Sequence, residues 1–277
     1  MLGACATGTH FEQPPDGHAA AGTDTRNPDA PIAIDTPTPA AAAGLLITEV
    51  VLAPTAGEFI EIANPTGQTV NLATYYLADC GAYFQIPAGT PAIETNDFIA
   101  RFPANATIAP GAVVTVAVDS AANFQSTYGV APTFSIGSGT MTNLVPNTPT
   151  LTNTGELVAL FEWDGQADLV RDVDLVLVGV PTTANGLVDK TAQAIDGPDG
   201  DSAVSSYRAD ARTMGAQPNA PNAGHSTKRI ALETGHELHA GSGNGIDGED
   251  ETSEDTTLTW DTTFSAPTPG TLPVGLL

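Results

Sequence analysis

Positive charge is what this chain has least of. Its 277 residues carry 8 Lys and Arg against 32 Asp and Glu, a formal net charge of -24. Neutralising nucleic-acid phosphates requires a basic face, and so few cations cannot build one of any size. The same shortage disfavours adsorption to an anionic membrane through a polybasic patch. Cysteine is nearly as scarce. Cys5 and Cys80 stand alone, without a CxxC pair or a metal-ligand spacing, and a chain this long buries a core without such staples. No apolar run reaches the ~18 residues of a membrane span, and no convincing amphipathic helical stripe appears. Gly and Pro, at 28 and 22 residues, stay below the level of low-complexity chains, which excludes disorder throughout.

What is present is strand periodicity between 45 and 180. Leu45 to Leu52 is an apolar run rich in β-branched residues, and Glu58 to Ile62 alternates before the turn Asn64-Pro65-Thr66-Gly67. Val70 to Leu77, Ala112 to Val118, Gly155 to Trp163 and Leu169 to Val180 supply four more candidate strands. The last places Asp172 and Asp174 on one expected face, with Val173, Leu175 and Leu177 on the other. Short strands separated by Gly, Pro or Asn predict an all-β protein, a β-sandwich.

The first residues suggest an address. Leu2-Gly3-Ala4-Cys5 resembles the lipobox at which bacterial lipoproteins are cleaved and the new N-terminal Cys is acylated. Only four residues precede Cys5, whereas a signal peptide needs an apolar stretch of about 7–15 residues. Either the true start lies upstream or the match is accidental. From Ala6 to Gly44 the chain reads as a disordered Pro-rich tether, with Pro14, Pro15, Pro28, Pro31, Pro37 and Pro39 keeping it extended. A Cys5–Cys80 disulfide stays open as an alternative to acylation. Cys80 itself reads as a small buried hydrophobe.

Five motifs in order carry a resemblance to the lamin tail domain family. They are Ile47-Thr48-Glu49-Val50; Glu58 through Thr66, followed by Val70-Asn71-Leu72 and Tyr76-Leu77-Ala78-Asp79; Phe84-Gln85-Ile86-Pro87-Ala88-Gly89 with Ile108-Ala109-Pro110-Gly111; Leu151 through Leu160; and a closing pair, Ser226-Thr227-Lys228-Arg229-Ile230 and Trp260 through Gly270. The resemblance implies an immunoglobulin-like β-sandwich over 45–271, after a linker at 1–44 and before a short tail at 272–277. Two stretches exceed the family pattern: about 181–225, and an acidic loop at about 241–256. Both are expected to loop out.

Sites of chemistry are few. Glu49, Glu58 and Glu61 are carboxylates on or beside strands, where they are expected to bond backbone or to face solvent. His236-Glu237-Leu238-His239 falls one residue short of the H-E-x-x-H spacing that puts two imidazoles on one helix face. No G-x-S-x-G elbow and no phosphate-binding glycine loop occurs. Asp196, Asp199 and Asp201, and Asp247, Glu249 and Asp250, lie on Gly-rich acidic turns of the kind Ca2+ uses. Neither has EF-hand spacing, so no metal site is assigned and no cofactor is required; Ca2+ is the ion these loops suggest.

These readings converge on a non-catalytic extracytoplasmic module, lipid-anchored at Cys5 and presenting loops or a sheet edge to a protein or cell-envelope partner. Nucleic acid is not expected as a partner, and membrane contact is expected only through the lipid. The alternatives are a secreted metal-dependent hydrolase built from the 180–255 loops, and a calcium-stabilised adhesin.

Overall fold

The β-branched runs do become strands, and they pair into two five-stranded sheets. The computed structural model describes residues 44–91, 93–180, 188–210, 217–232 and 243–276, apart from the side chain of residue 247. In chain order the strands are β1 (Leu46–Val51), β2 (Phe59–Ala63), β3 (Val70–Asn71), β4 (Tyr75–Ala78), β5 (Ile99–Arg101), β6 (Thr107–Ile108) and β7 (Val113–Ala117). After helix α1 (Ala121–Tyr128) come β8 (Phe134–Ser135), β9 (Thr142–Asn143), β10 (Gly155–Glu162), β11 (Arg171–Gly179), β12 (Ala194–Ile195), β13 (Ser205–Ser206), β14 (Thr227–Lys228) and a short helix, α2 (Thr256–Thr259). One sheet has the order β14-β1-β2-β7-β8, the other β11-β10-β4-β5-β9. All of these pairs are antiparallel except β7–β8. No described helix is long and apolar enough to cross a membrane.

The main core lies between the sheets. Ile47, Val50, Ile60, Ile62, Val114 and Val116 from the first meet Leu77, Ala100, Val158, Leu160, Val176 and Val178 from the second. Each outer face is covered in turn. Val51, Phe59 and Ala117 on the first sheet pack under Phe124 of α1. Tyr76, Leu157, Ala159, Phe161, Leu175 and Leu177 on the second pack under Tyr83, Phe84, Val188, Ile195 and Tyr207.

Helix α1 departs from the sequence expectation. Ser120 caps it by accepting the Asn123 N–H at 3.1 Å, and Gly129 ends it in the left-handed region. Only Phe124 is buried along it, so it leaves no apolar stripe to read.

Two β-bulges correct a second expectation. In β11 an extra residue lies between the pairs Leu160↔Asp174 and Phe161↔Asp172. The bulge therefore reverses the alternation, and Asp172 and Asp174 point to opposite faces rather than one. Val173 joins the inner core with Val176 and Val178, while Leu175 and Leu177 face outward. In β1 a register shift between Ile47 and Glu49 does the same, leaving Ile47 and Val50 both inside.

The long insertions also differ from expectation where they are described. Residues 188–210 fold back to cover the outer face of the second sheet through Val188, Ile195 and Tyr207. Residues 243–256 lie along β11, with Asp172 N–H donating to the Asn244 carbonyl at 3.2 Å. The exposed outer face of a sheet needs a cover, and these segments supply one.

At the far end of the β10–β11 hairpin Gly155 faces Gly179 across the ladder. A Cβ on Gly179, where φ is +77°, would stand 2.3 Å from the Thr154 carbonyl oxygen. Gly179→Ala is expected to lower unfolding free energy by about 3 kcal/mol, from combined backbone strain and overlap. Urea denaturation measures it, and a loss under about 1 kcal/mol would contradict the close approach.

Candidate functional site

Three buried polar centres grow directly out of the two bulges. The first sits on the inner side of β11. Asp174 takes both an Arg229 Nη2 contact at 2.7 and 2.8 Å and the Ile47 backbone N–H from the other sheet. Arg229 Nε donates to the Ile47 carbonyl at 2.8 Å, its Nη1 reaches Glu254 at 3.4 Å, and its guanidinium lies 5.1 Å from the centre of the Trp260 ring. The Arg229 and Asp174 side chains are fully buried. Glu254, pushed up by burial and pulled down by Arg229, also accepts the Thr259 hydroxyl.

The second centre sits on the outer side. Lys190 Nζ lies 2.7 Å from Asp172 Oδ2 and 3.3 Å from Asp210 Oδ2, with no exposure of its own side chain. The Tyr83 hydroxyl donates to Asp172 Oδ1 at 2.5 Å. Asp210 is held by the Lys190 N–H at 2.6 Å and by Asn244 Nδ2, also at 2.6 Å. Burial raises the Asp172 carboxyl above the ordinary aspartate value, and the two aspartates raise the Lys190 amine against the opposing effect of burial.

The third centre holds the C-terminal segment. Glu49 and Glu61 face each other across β1 and β2. Glu49 accepts the Thr268 N–H at 3.0 Å and its hydroxyl at 3.1 Å, with Lys228 Nζ 3.7 Å away. Glu61 accepts the Gly270 N–H at 2.7 Å and the Thr48 hydroxyl at 3.1 Å. Glu58 similarly takes the Leu151 N–H at 3.0 Å. All three glutamates thus bind backbone and are buried, the first of the two roles the sequence left open. Burial pushes both Glu58 and Glu61 up to about 7.

A fourth group surrounds Cys80, which is a buried free thiol whose titration burial pushes up. Asp79 accepts the Phe98 N–H at 2.6 Å, and Glu156 accepts those of Thr152 and Leu157. Burial raises Asp79 well above its ordinary value and Glu156 to about 8. Beside them is an open polar recess of about 330 Å³ lined by Ile93, Glu94, Thr95, Asn96, Asp97 and Thr152.

The acidic turns separate. Asp196 and Asp199 come together with Asp168, oxygens of all three lying within 4.8 Å of one another. Asp168 already accepts the Gly197 N–H at 2.8 Å and the Ser205 hydroxyl at 2.7 Å. Asp201 instead caps its own turn, accepting the Ala203 N–H at 2.7 Å. Three carboxylates supply about half the oxygens Ca2+ usually takes. Asp250 turns inward, buried, and accepts the Thr252 hydroxyl at 2.6 Å. Glu249 uses its carbonyl to accept the Gly245 N–H. The Asp247 side chain, His236, Glu237, His239 and Cys5 lie outside the described residues.

Sequence reasoning missed Lys190, Tyr83, Asp210 and Glu254 altogether. The only local signal was a lysine in a stretch where cations are rare.

The buried acids with raised values give a pH dependence of definite sign. The folded chain keeps protons that the unfolded chain has released, from the ordinary glutamate value of 4.5 up to about 7 or 8. Stability is therefore expected to fall as pH rises from 5 to 8. Urea midpoints across that range test it, and a midpoint that rises with pH would contradict the burial of these acids. Glu58→Gln and Glu61→Gln should flatten the slope.

A family model for the Lamin Tail Domain matches residues 38–176, half of the chain. Among solved structures, a DUF4876 family protein from Bacteroides thetaiotaomicron VPI-5482 is similar at 13% identity, with a TM-score of 0.45 over 85% of this chain and 75% of that one. No curated protein matches.

Proposed function

We propose that this chain, which belongs to the lamin tail domain family, is a non-catalytic extracytoplasmic module that holds a rigid sandwich out toward a protein or cell-envelope partner. One observation carries the reading. The strand carboxylates Glu49, Glu58 and Glu61 each accept backbone N–H groups from segments about 90 or more residues away. They bind chain to chain, which is structural work.

The address follows from Leu2-Gly3-Ala4-Cys5 and the Pro-rich stretch behind it. A lipid on Cys5 holds the chain to a membrane, and the spacer sets the sandwich away from it. The burial of Cys80 supports this, because a thiol packed among Tyr83, Phe84 and Ile99 serves the core. The high negative charge keeps the sandwich soluble and away from anionic surfaces. Recognition then falls to loops and sheet edges.

The test is fractionation of the protein expressed with its native upstream sequence in a bacterial host. The wild-type chain is expected in the detergent phase, with its N-terminus at Cys5 and the mass of an acyl-glyceryl group added. Cys5→Ala should move to the aqueous phase. A wild-type chain that stays aqueous with no added mass would remove the anchor.

A further inference from the structure

We propose that Lys190 and Asp172 become joined by an internal amide bond, which the folded chain forms on itself with Tyr83 and Asp210 as the assisting groups. The inference rests on the second polar centre and stands independently of the lipid anchor. An amine and a carboxylate sit 2.7 Å apart there, with side chains 0% and 3% exposed. Tyr83 packs against both, its hydroxyl on Asp172 and its ring 5.5 Å from Nζ, and with both side chains buried water does not screen the pair. Each further group that condensation requires is in position. The Tyr83 hydroxyl donates to Asp172 Oδ1, the oxygen turned away from the amine contact. Asp210 Oδ2 stands 3.3 Å from Nζ, able to receive and return a proton.

The balance of the step is simple. Removing water from around an ion pair narrows the gap between the charged pair and its neutral tautomer. A proton passes from Nζ to Asp172 Oδ2, leaving a free amine beside a carboxylic acid. The Nζ lone pair attacks Asp172 Cγ, and the carbonyl electron pair moves onto Oδ1, where the Tyr83 hydroxyl stabilises it. Asp210 takes a proton from Nζ and delivers it to the Oδ2 hydroxyl. The Cγ–Oδ2 bond breaks, one water leaves, and a Cγ–Nζ amide remains. No oxidant or cofactor is involved, and the fold supplies the proximity that makes an amide form unaided.

The neighbouring centre shows why the identity of the cation matters. Arg229 and Asp174 are equally buried, yet a guanidinium does not give up its proton in a protein. Burial there yields an ion pair only. Lysine on the outer face has the chemistry that arginine lacks, and the bond would tie the 188–210 insertion covalently to β11.

Intact mass of the folded full-length protein, measured after denaturation and followed by proteolytic mapping, tests this. The expected result is a mass one water below that calculated for the chain from its mapped N-terminus and any acyl group, with a branched peptide joining the segments that contain Lys190 and Asp172. Lys190→Arg and Asp210→Asn should each keep the full mass, and Tyr83→Phe should slow bond formation by at least about tenfold. A folded wild-type chain at the full mass so calculated would overturn the proposal. So would water loss mapped elsewhere, as a succinimide at Asp196-Gly197, Asp199-Gly200 or Asp247-Gly248. The wild-type mass and map decide the matter even if a variant fails to fold.

Discussion

One buried carboxylate closes the sandwich. Asp174 stands on β11 of the second sheet, yet it accepts the Ile47 N–H from β1 of the first. Arg229 answers from beyond β14, donating to the Ile47 carbonyl while pairing with Asp174. Ile47 stands at the register shift in β1, and this pair engages both its N–H and its carbonyl. Trp260 lies against the guanidinium, and an isolated antiparallel bridge pairs it with Arg229. The two closing motifs of the sequence thus meet each other and the first strand at one place. A fully buried charge is tolerated there because each of its polar atoms has work to do.

The same economy runs through the rest of the molecule. Cations are rare, so two of them, Lys190 and Arg229, are placed where two aspartates leave water. Elsewhere the buried carboxylates rely on backbone N–H groups or keep their protons. Those backbone bonds fasten distant segments: Thr268 and Gly270 to the first sheet, Leu151 to Glu58. A sandwich held in this way presents a fixed surface.

The strands were legible because β-branched runs and alternation are local. β1, β2, β7, β10 and β11 fall within the stretches that composition and turns marked out. The bulges were not legible, since one extra residue in β11 looks like any other alternating step. That single residue decides that Asp172 meets Lys190 and Asp174 meets Arg229. Helix α1 escaped because one buried residue, Phe124, makes no stripe. The folding back of 188–210 escaped for a related reason: Val188, Ile195 and Tyr207 are too sparse to read as a face. Their partners lie on strands far away in sequence. The family resemblance reached Arg229 and Trp260 as motifs, but not the charge partners that make them necessary.

The most direct measurement is the unfolding free energy of Arg229→Met, from urea denaturation at neutral pH. Removing the cation leaves two carboxylates, Asp174 and Glu254, buried without it. The account predicts a loss of about 3–5 kcal/mol. A loss below about 1 kcal/mol, the size expected of a surface ion pair, would contradict it and show that the sheets close without this contact.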